Sequence, residues 1–152
     1  MKPRVYTDTS VIGGSEDSEF RDASRRLLEA FRLGAMTLVI SELTLRELEA
    51  APAAVRDALG RIRPDLIEVL PVSSEAEDLA AAYIADGAVG PRMRADALHI
   101  ALATVARVDV LVSWNFKHIV NLQRIRGYHS VNIRRGYPIL EIRSPREVLT
   151  NE

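Results

Sequence analysis

Short runs rich in β-branched and aromatic residues recur along this chain, separated by longer segments whose apolar residues return every three or four positions. That alternation restricts the fold more than any other feature, because it selects strands joined by helical crossovers. The opening stretch Arg4-Val5-Tyr6-Thr7-Asp8-Thr9-Ser10-Val11-Ile12 starts as a strand and meets a carboxylate and two hydroxyls where a helix should begin. Thr37 to Ile40, Leu66 to Leu70, Val110 to Val112 and Ile139 to Ile142 read as further strands. The predicted helices run from Glu19 to Leu33 after Asp17 or Ser18, from Ser41 to about Ala50, and from Ala53 to Arg63. Others follow from Glu75 to Ala85, from Arg92 or Arg94 to Val108, and from Asn115 to Leu122. From Gln123 to Pro138 the pattern weakens to a helical turn ending at Gly136, and a tail is expected after Pro145. Strands alternating with helices predict an α/β chain, a single-domain three-layer α/β/α sandwich with a central, mostly parallel sheet over residues 1–152.

A chain of this length buries about 68–70% of its unfolded surface, enough for an ordinary core. It has no cysteine, which excludes disulfides, thiol catalysis and Cys-based zinc sites. No apolar stretch of signal-peptide or membrane-spanning length is present, so a soluble, cytoplasmic protein is expected. Positive charge is unevenly placed. Between Asp109 and Glu141 there is no acidic residue, while Lys117, His118, Arg124, Arg126, His129, Arg134 and Arg135 all fall there. A one-signed interval in a balanced protein is the kind of patch that contacts a phosphate backbone, although a solvated helix face would look the same.

Certain carboxylates sit in unexpected places. Asp8 ends the first strand, at the rim where open α/β sheets bind ligands, but Asp, Thr and Ser also cap helices. On the helix after Ser41, Glu42, Arg46 and Glu49 form one stripe and Leu43, Thr44, Leu45, Leu48, Ala50 and Ala51 the opposite arc. Glu47 falls inside that apolar arc. A carboxylate there costs several kcal/mol unless it is paired or hydrogen-bonded, so Glu47 needs either an arginine partner or a functional one. Asp96 raises the same question in the most apolar helix, as a cap or as a site residue with His99 within reach. Carboxylates gathered at one rim repel, and a hard divalent cation is the usual reason to tolerate this. Magnesium would make the acidic pocket a phosphodiester-cleaving site beside the basic interval.

The motifs Y-T-D-T-S, S-E-L-T-L-R-E-L-E, R-A-D-A-L-H-I-A-L-A and L-V-S-W-N-F-K-H-I, in this order and spacing, resemble those of the PIN domain family over nearly the whole chain. The resemblance implies a small α/β nuclease whose acidic residues bind Mg²⁺ or Mn²⁺ to cleave single-stranded RNA, often as the VapC-like toxin of a type II toxin–antitoxin pair. It implies metal ligands at Asp8, Glu47 and Asp96, with Ser10 in support. It also carries the expectation of a cognate antitoxin and a homodimer. The chain departs from the strictest family pattern at Asn115, where many members have Asp. An amide positions a water or ligand without adding charge, which puts tight binding of a second metal in doubt. Ser113 is placed to hydrogen-bond a carboxylate or water, and Trp114 either stacks on a base or joins the core. Lys117, His118, Arg124 and Arg126 are the candidate RNA contacts. The missing fourth carboxylate leaves room for an alternative, a catalytically weakened PIN-like module that binds RNA or protein.

Overall fold

A computed structural model describes residues 2–149. Its strands are β1 (Arg4–Thr7), β2 (Thr37–Ser41), β3 (Ile67–Leu70), β4 (Val110–Val112) and β5 (Ile142–Arg143), all parallel and ordered β3-β2-β1-β4-β5. The helices are α1 (Thr9–Gly13), α2 (Arg21–Arg32), α3 (Glu42–Glu49), α4 (Ala53–Gly60), α5 (Ser74–Ala85), α6 (Arg94–Val105), α7 (Leu122–Arg134) and α8 (Pro145–Leu149). The expected three-layer arrangement is present. Successive strand residues point to opposite faces. Tyr6, Val39 and Leu111 therefore join the cluster with α5, α6 and α7, while Val5, Leu38, Ile40 and Val112 join the one with α1, α2 and α4. Covering both faces requires the near-continuous apolar runs that the central strands display.

The strand order sets the site. After β1 the chain adds β2 and β3 on one side, then returns to place β4 and β5 on the other. The direction of winding therefore reverses between β1 and β4, and ligand crevices in open parallel sheets form outside the carboxyl ends of strands at such a point. Asp8 follows β1 there, and Ser113 follows β4.

Several local expectations are corrected. Residues Asn115 to Asn121, expected with Leu122 to form a short helix, form turns and irregular chain instead. The Asn115 side-chain carbonyl accepts from the backbone N–H groups of Lys117 (3.2 Å) and His118 (2.9 Å), an Asn-based turn that competes with helix formation. The helix begins later, as the 13-residue α7, with Asn121 capping the N–H of Arg124 at 3.2 Å. Its weak pattern includes Gly127, which lies so close to the Ala88 backbone that a Cβ would stand 2.9 Å from the Ala88 Cα. In the segment before α2, a short α1 and a 3₁₀ turn precede Asp17, whose carboxylate accepts from Glu19 and Phe20, so α2 starts two residues later than expected. The last strand is Ile142–Arg143 rather than 139–142, and α8 replaces the expected tail. Helix α4 stops at Gly60 and α6 at Val105. Leu45 and Ala50, assigned to the apolar arc of α3, are exposed.

Candidate functional site

Asp8 is 5% exposed and neither caps α1 through its side chain nor pairs with a cation. Instead its two oxygens each accept from a hydroxyl: Oδ1 from Ser10 at 2.6 Å and Oδ2 from Ser113 at 2.8 Å. Those hydroxyls are themselves fixed by backbone. The Trp114 N–H donates to Ser10 Oγ (2.9 Å) and the Asn115 N–H to Ser113 Oγ (2.9 Å), so the turn after β4 orients the donors to the carboxylate after β1. Burial raises the Asp8 carboxyl above its ordinary range. The field of His99 and the two serine hydrogen bonds oppose that shift, and the field of Asp96 adds to it.

Glu47 projects from α3, whose start is fixed by a reciprocal capping box between Ser41 and Thr44. Its Oε1 accepts from Thr9 Oγ1 at 2.6 Å and lies 2.7 Å from His99 Nε2. Burial pushes this carboxyl up, but the hydrogen bonds from His99 and Thr9 outweigh it, and the group is held below its usual value. The arginine partner considered for Glu47 is therefore replaced by a histidine and a threonine. His99 faces Glu47 through its ring rather than Asp96, because the fold brings α3 against α6, an encounter that spacing within one helix does not reveal.

Asp96 lies in the first turn of α6, where the N-cap residue Met93 makes no side-chain cap. Burial raises its carboxyl; the fields of His118 and His99 and a hydrogen bond from the Asn115 side chain counter this, and the field of Glu47 adds to it. Since the Asn115 carbonyl is engaged by backbone N–H groups, its amide N–H is the end that serves Asp96.

Asp8, Glu47 and Asp96 thus act on one another through space, Asp96 being felt by Asp8 and Glu47 by Asp96. Among the described residues, no group of three or more His, Cys, Asp or Glu side chains forms a ready-made metal cage. The donors that could serve a metal are carboxylate oxygens, the hard ligands that Mg²⁺ and Mn²⁺ take. Magnesium commonly uses one or two of them and completes its shell with water and substrate oxygens.

The candidate RNA contacts diverge. Lys117 and Arg126 are exposed, whereas Arg124 is half-buried and donates to the Ala88 carbonyl at 3.3 Å. His118 is also half-buried, and its Nδ1 is enclosed without a hydrogen-bond partner. Trp114 belongs to the core: its indole N–H donates to Ser24 Oγ at 2.8 Å, and its ring stacks on Phe20 with centroids 4.2 Å apart. The aromatic that remains exposed is Phe116, edge-on to Trp114, which sequence reading passed over. Thr9 and Tyr6 were likewise missed, the first because threonine after Asp8 reads as a helix start, the second because tyrosine in a strand reads as core.

The sequence pattern of the PIN domain family matches residues 5–116. The chain belongs to the PIN domain family. No curated protein matches its sequence. Solved PIN-type structures share the fold at low identity. DNA-bound VapBC from Salmonella typhimurium is 19% identical, with 94% of this chain and 98% of that one covered at a TM-score of 0.57. VapBC2 from Rickettsia felis, bound to a promoter DNA fragment, is 16% identical over 93% and 98% of the two chains, also at 0.57. Mycobacterium tuberculosis VapC20, a sarcin-ricin loop cleaving toxin, is 15% identical over 74% and 91%, at 0.58. In the PIN domain described here the motifs that carry the resemblance all lie at the carboxyl edge of β1 and β4 or on α3 and α6 beside it.

Proposed function

We propose that this PIN domain is a metal-dependent endoribonuclease that cleaves single-stranded RNA, and that it is the toxin of a type II toxin–antitoxin pair. The observation that carries the reading is the buried Asp8 carboxylate at the reversal point of a parallel sheet, held on both oxygens by Ser10 and Ser113. Asp96 raises the proton affinity of Asp8 and Glu47 that of Asp96, a repulsion that a divalent cation would relieve. Asp8, Glu47 and Asp96 would hold Mg²⁺ or Mn²⁺, and the bound ion would supply Lewis-acid activation of water and neutralisation of phosphate charge. Ser10 and Ser113 keep the Asp8 carboxylate facing the crevice, and Asn115 steadies Asp96 without adding charge. Lys117 and Arg126, exposed beside the turn after β4 and on α7, meet the RNA backbone; Arg124 holds the local structure, and the field of His118 acts on Asp96. A toxin role and an antitoxin partner are supported by the likeness to VapBC assemblies. A homodimer and a cytoplasmic setting are part of the same proposal; among the described residues no helix is long and apolar enough to cross a membrane.

The purified protein should cleave single-stranded RNA with Mg²⁺ or Mn²⁺, stop with chelator, and lose activity in Asp96→Asn while keeping its circular dichroism spectrum. Full activity of that variant would refute the mechanism. Asn115 in place of a fourth carboxylate favours a second reading, a module that binds RNA or protein without cutting. Calorimetric titration with Mn²⁺ separates the two, since a non-cutting module has no need of the ion.

A further inference from the structure

Glu47 poses a positioning problem. Its side chain is 34% exposed at the end of a short helix, and a glutamate there has several torsions free to turn it into solvent. Two contacts prevent this, and both fall on Oε1: the Thr9 hydroxyl and His99 Nε2. Among the described residues Oε2 has no hydrogen-bond partner and is the oxygen left for the rim. His99 in turn is 3% exposed, inside the apolar body of α6. A buried imidazole is costly unless both nitrogens are satisfied. Its Nδ1 lies 2.7 Å from the Tyr6 hydroxyl, and the Tyr6 and His99 rings meet edge to face. Tyr6 reaches one group further, to Ser41 Oγ at 2.9 Å, and Ser41 is the N-cap of α3, the helix that carries Glu47.

We propose that His99 is a positioning residue for Glu47, fixed as the Nε2–H tautomer by a hydrogen bond from the Tyr6 hydroxyl. The directions follow from the chemistry of each group. An ionised carboxylate can only accept, so Nε2 carries the hydrogen; the proposed tautomer leaves Nδ1 as acceptor, so Tyr6 donates. The Tyr6 oxygen is left to accept from the Ser41 hydroxyl. The chain closes on itself: it leaves α3 at its N-cap, crosses β1 and α6, and returns to α3 at Glu47. One helix is thereby held at both ends by the Tyr6–His99 pair, which sets how Oε2 faces the crevice. Hydrogen-bond partners that orient a metal ligand in this way tune metal affinity. The importance of Oε2 to a cation rests on the function proposed above; the tautomer does not.

The test uses the full chain without and with Mn²⁺. Long-range ¹H–¹⁵N spectra of the metal-free protein should show His99 as the Nε2–H tautomer, and Tyr6→Phe should abolish that single form. Calorimetry should show Mn²⁺ affinity falling about 10-fold in Tyr6→Phe, in the range for groups that orient metal ligands. Ser73→Ala is the control: it removes the side-chain cap of α5, outside this chain of hydrogen bonds, and lowers the melting temperature while leaving the tautomer unchanged and Mn²⁺ affinity within about 2-fold. An Nδ1–H tautomer in the wild type overturns the proposal, whether or not Tyr6→Phe folds. Equal Mn²⁺ affinity in wild type and Tyr6→Phe overturns the positioning role. If the wild type binds no Mn²⁺, the metal site fails as a function while the tautomer still decides the Tyr6–His99 assignment.

Discussion

Replacing Asp8 by asparagine should make the metal-free protein more stable and the metal-loaded one less so. The carboxylate is buried and accepts two hydroxyl hydrogen bonds, at 2.6 and 2.8 Å. Bonds to a charged acceptor are worth about 1.5–3 kcal/mol and neutral ones about 1 kcal/mol; the amide keeps one acceptor oxygen and must donate its NH₂ to the other serine oxygen, so the pair weakens by about 1–4 kcal/mol in total. Against this stands the desolvation of a buried carboxylate, several kcal/mol, with the field of Asp96 added. The raised carboxyl says that desolvation wins. A net gain of about 1–2 kcal/mol would raise the melting temperature by about 3–6 °C for a chain of this size. The pH dependence has a definite sign. A carboxyl whose folded value lies above its unfolded value destabilises the fold fully above the folded value, and the penalty fades as pH falls towards the unfolded one. The advantage of Asp8→Asn should therefore be largest near pH 8 and shrink as the solution is acidified through the raised value. Glu47, shifted down, behaves oppositely and contributes stability that is lost at acid pH, but it does so in both proteins and cancels in the comparison. Adding Mn²⁺ at about 100 times its dissociation constant stabilises a binding protein by about 2.7 kcal/mol, an increment the variant should lack. Differential scanning calorimetry from pH 5 to 8, with and without Mn²⁺, reads all of this. A metal-free Asp8→Asn protein that melts lower than the wild type at every pH would show that the serine bonds outweigh desolvation, and would refute the reasoning.

Two further outcomes test separate parts of the structure. Ser24→Ala should cost about 2–4 kcal/mol in urea unfolding, because Ser24 both receives the Trp114 indole N–H and donates to the Val11 carbonyl at 2.7 Å, and both groups are buried. The single tryptophan reports that transition directly by fluorescence. Lys117→Ala combined with Arg126→Ala should weaken single-stranded RNA binding and reduce the slope of log K against log[salt] by about 0.7 for each lost contact, whereas Arg124→Ala should chiefly lower the melting temperature. An unchanged salt slope in the double variant would remove both residues from the RNA surface.

Much of this protein was legible from residue order alone. The buried runs at Val5 and Tyr6, Leu38 to Ile40 and Leu111 and Val112 are apolar because each must satisfy two faces of a parallel sheet, and such runs with their flanking turn residues are local properties. The misreadings are also physical. Asn115 spends its carbonyl on the backbone of a turn, a choice open to asparagine that helical periodicity cannot exclude. Helix α7 carries exposed Leu122 and Ile133 and a central Gly127, so its pattern is faint although its packing against Ala88 is close.

The sequence by itself determined which carboxylates are out of place, because a charge within an apolar arc is visible on a helical wheel, and it determined that strands of a mostly parallel sheet alternate with helices. It could not determine their partners. His99 stands three residues from Asp96 and 52 from Glu47, yet its ring bonds to Glu47. Hydrogen bonds between helices depend on where the sheet sets each helix, a distance that local spacing does not encode, and only the packing of α3 against β1 and α6 gave Glu47, His99 and Tyr6 to one another.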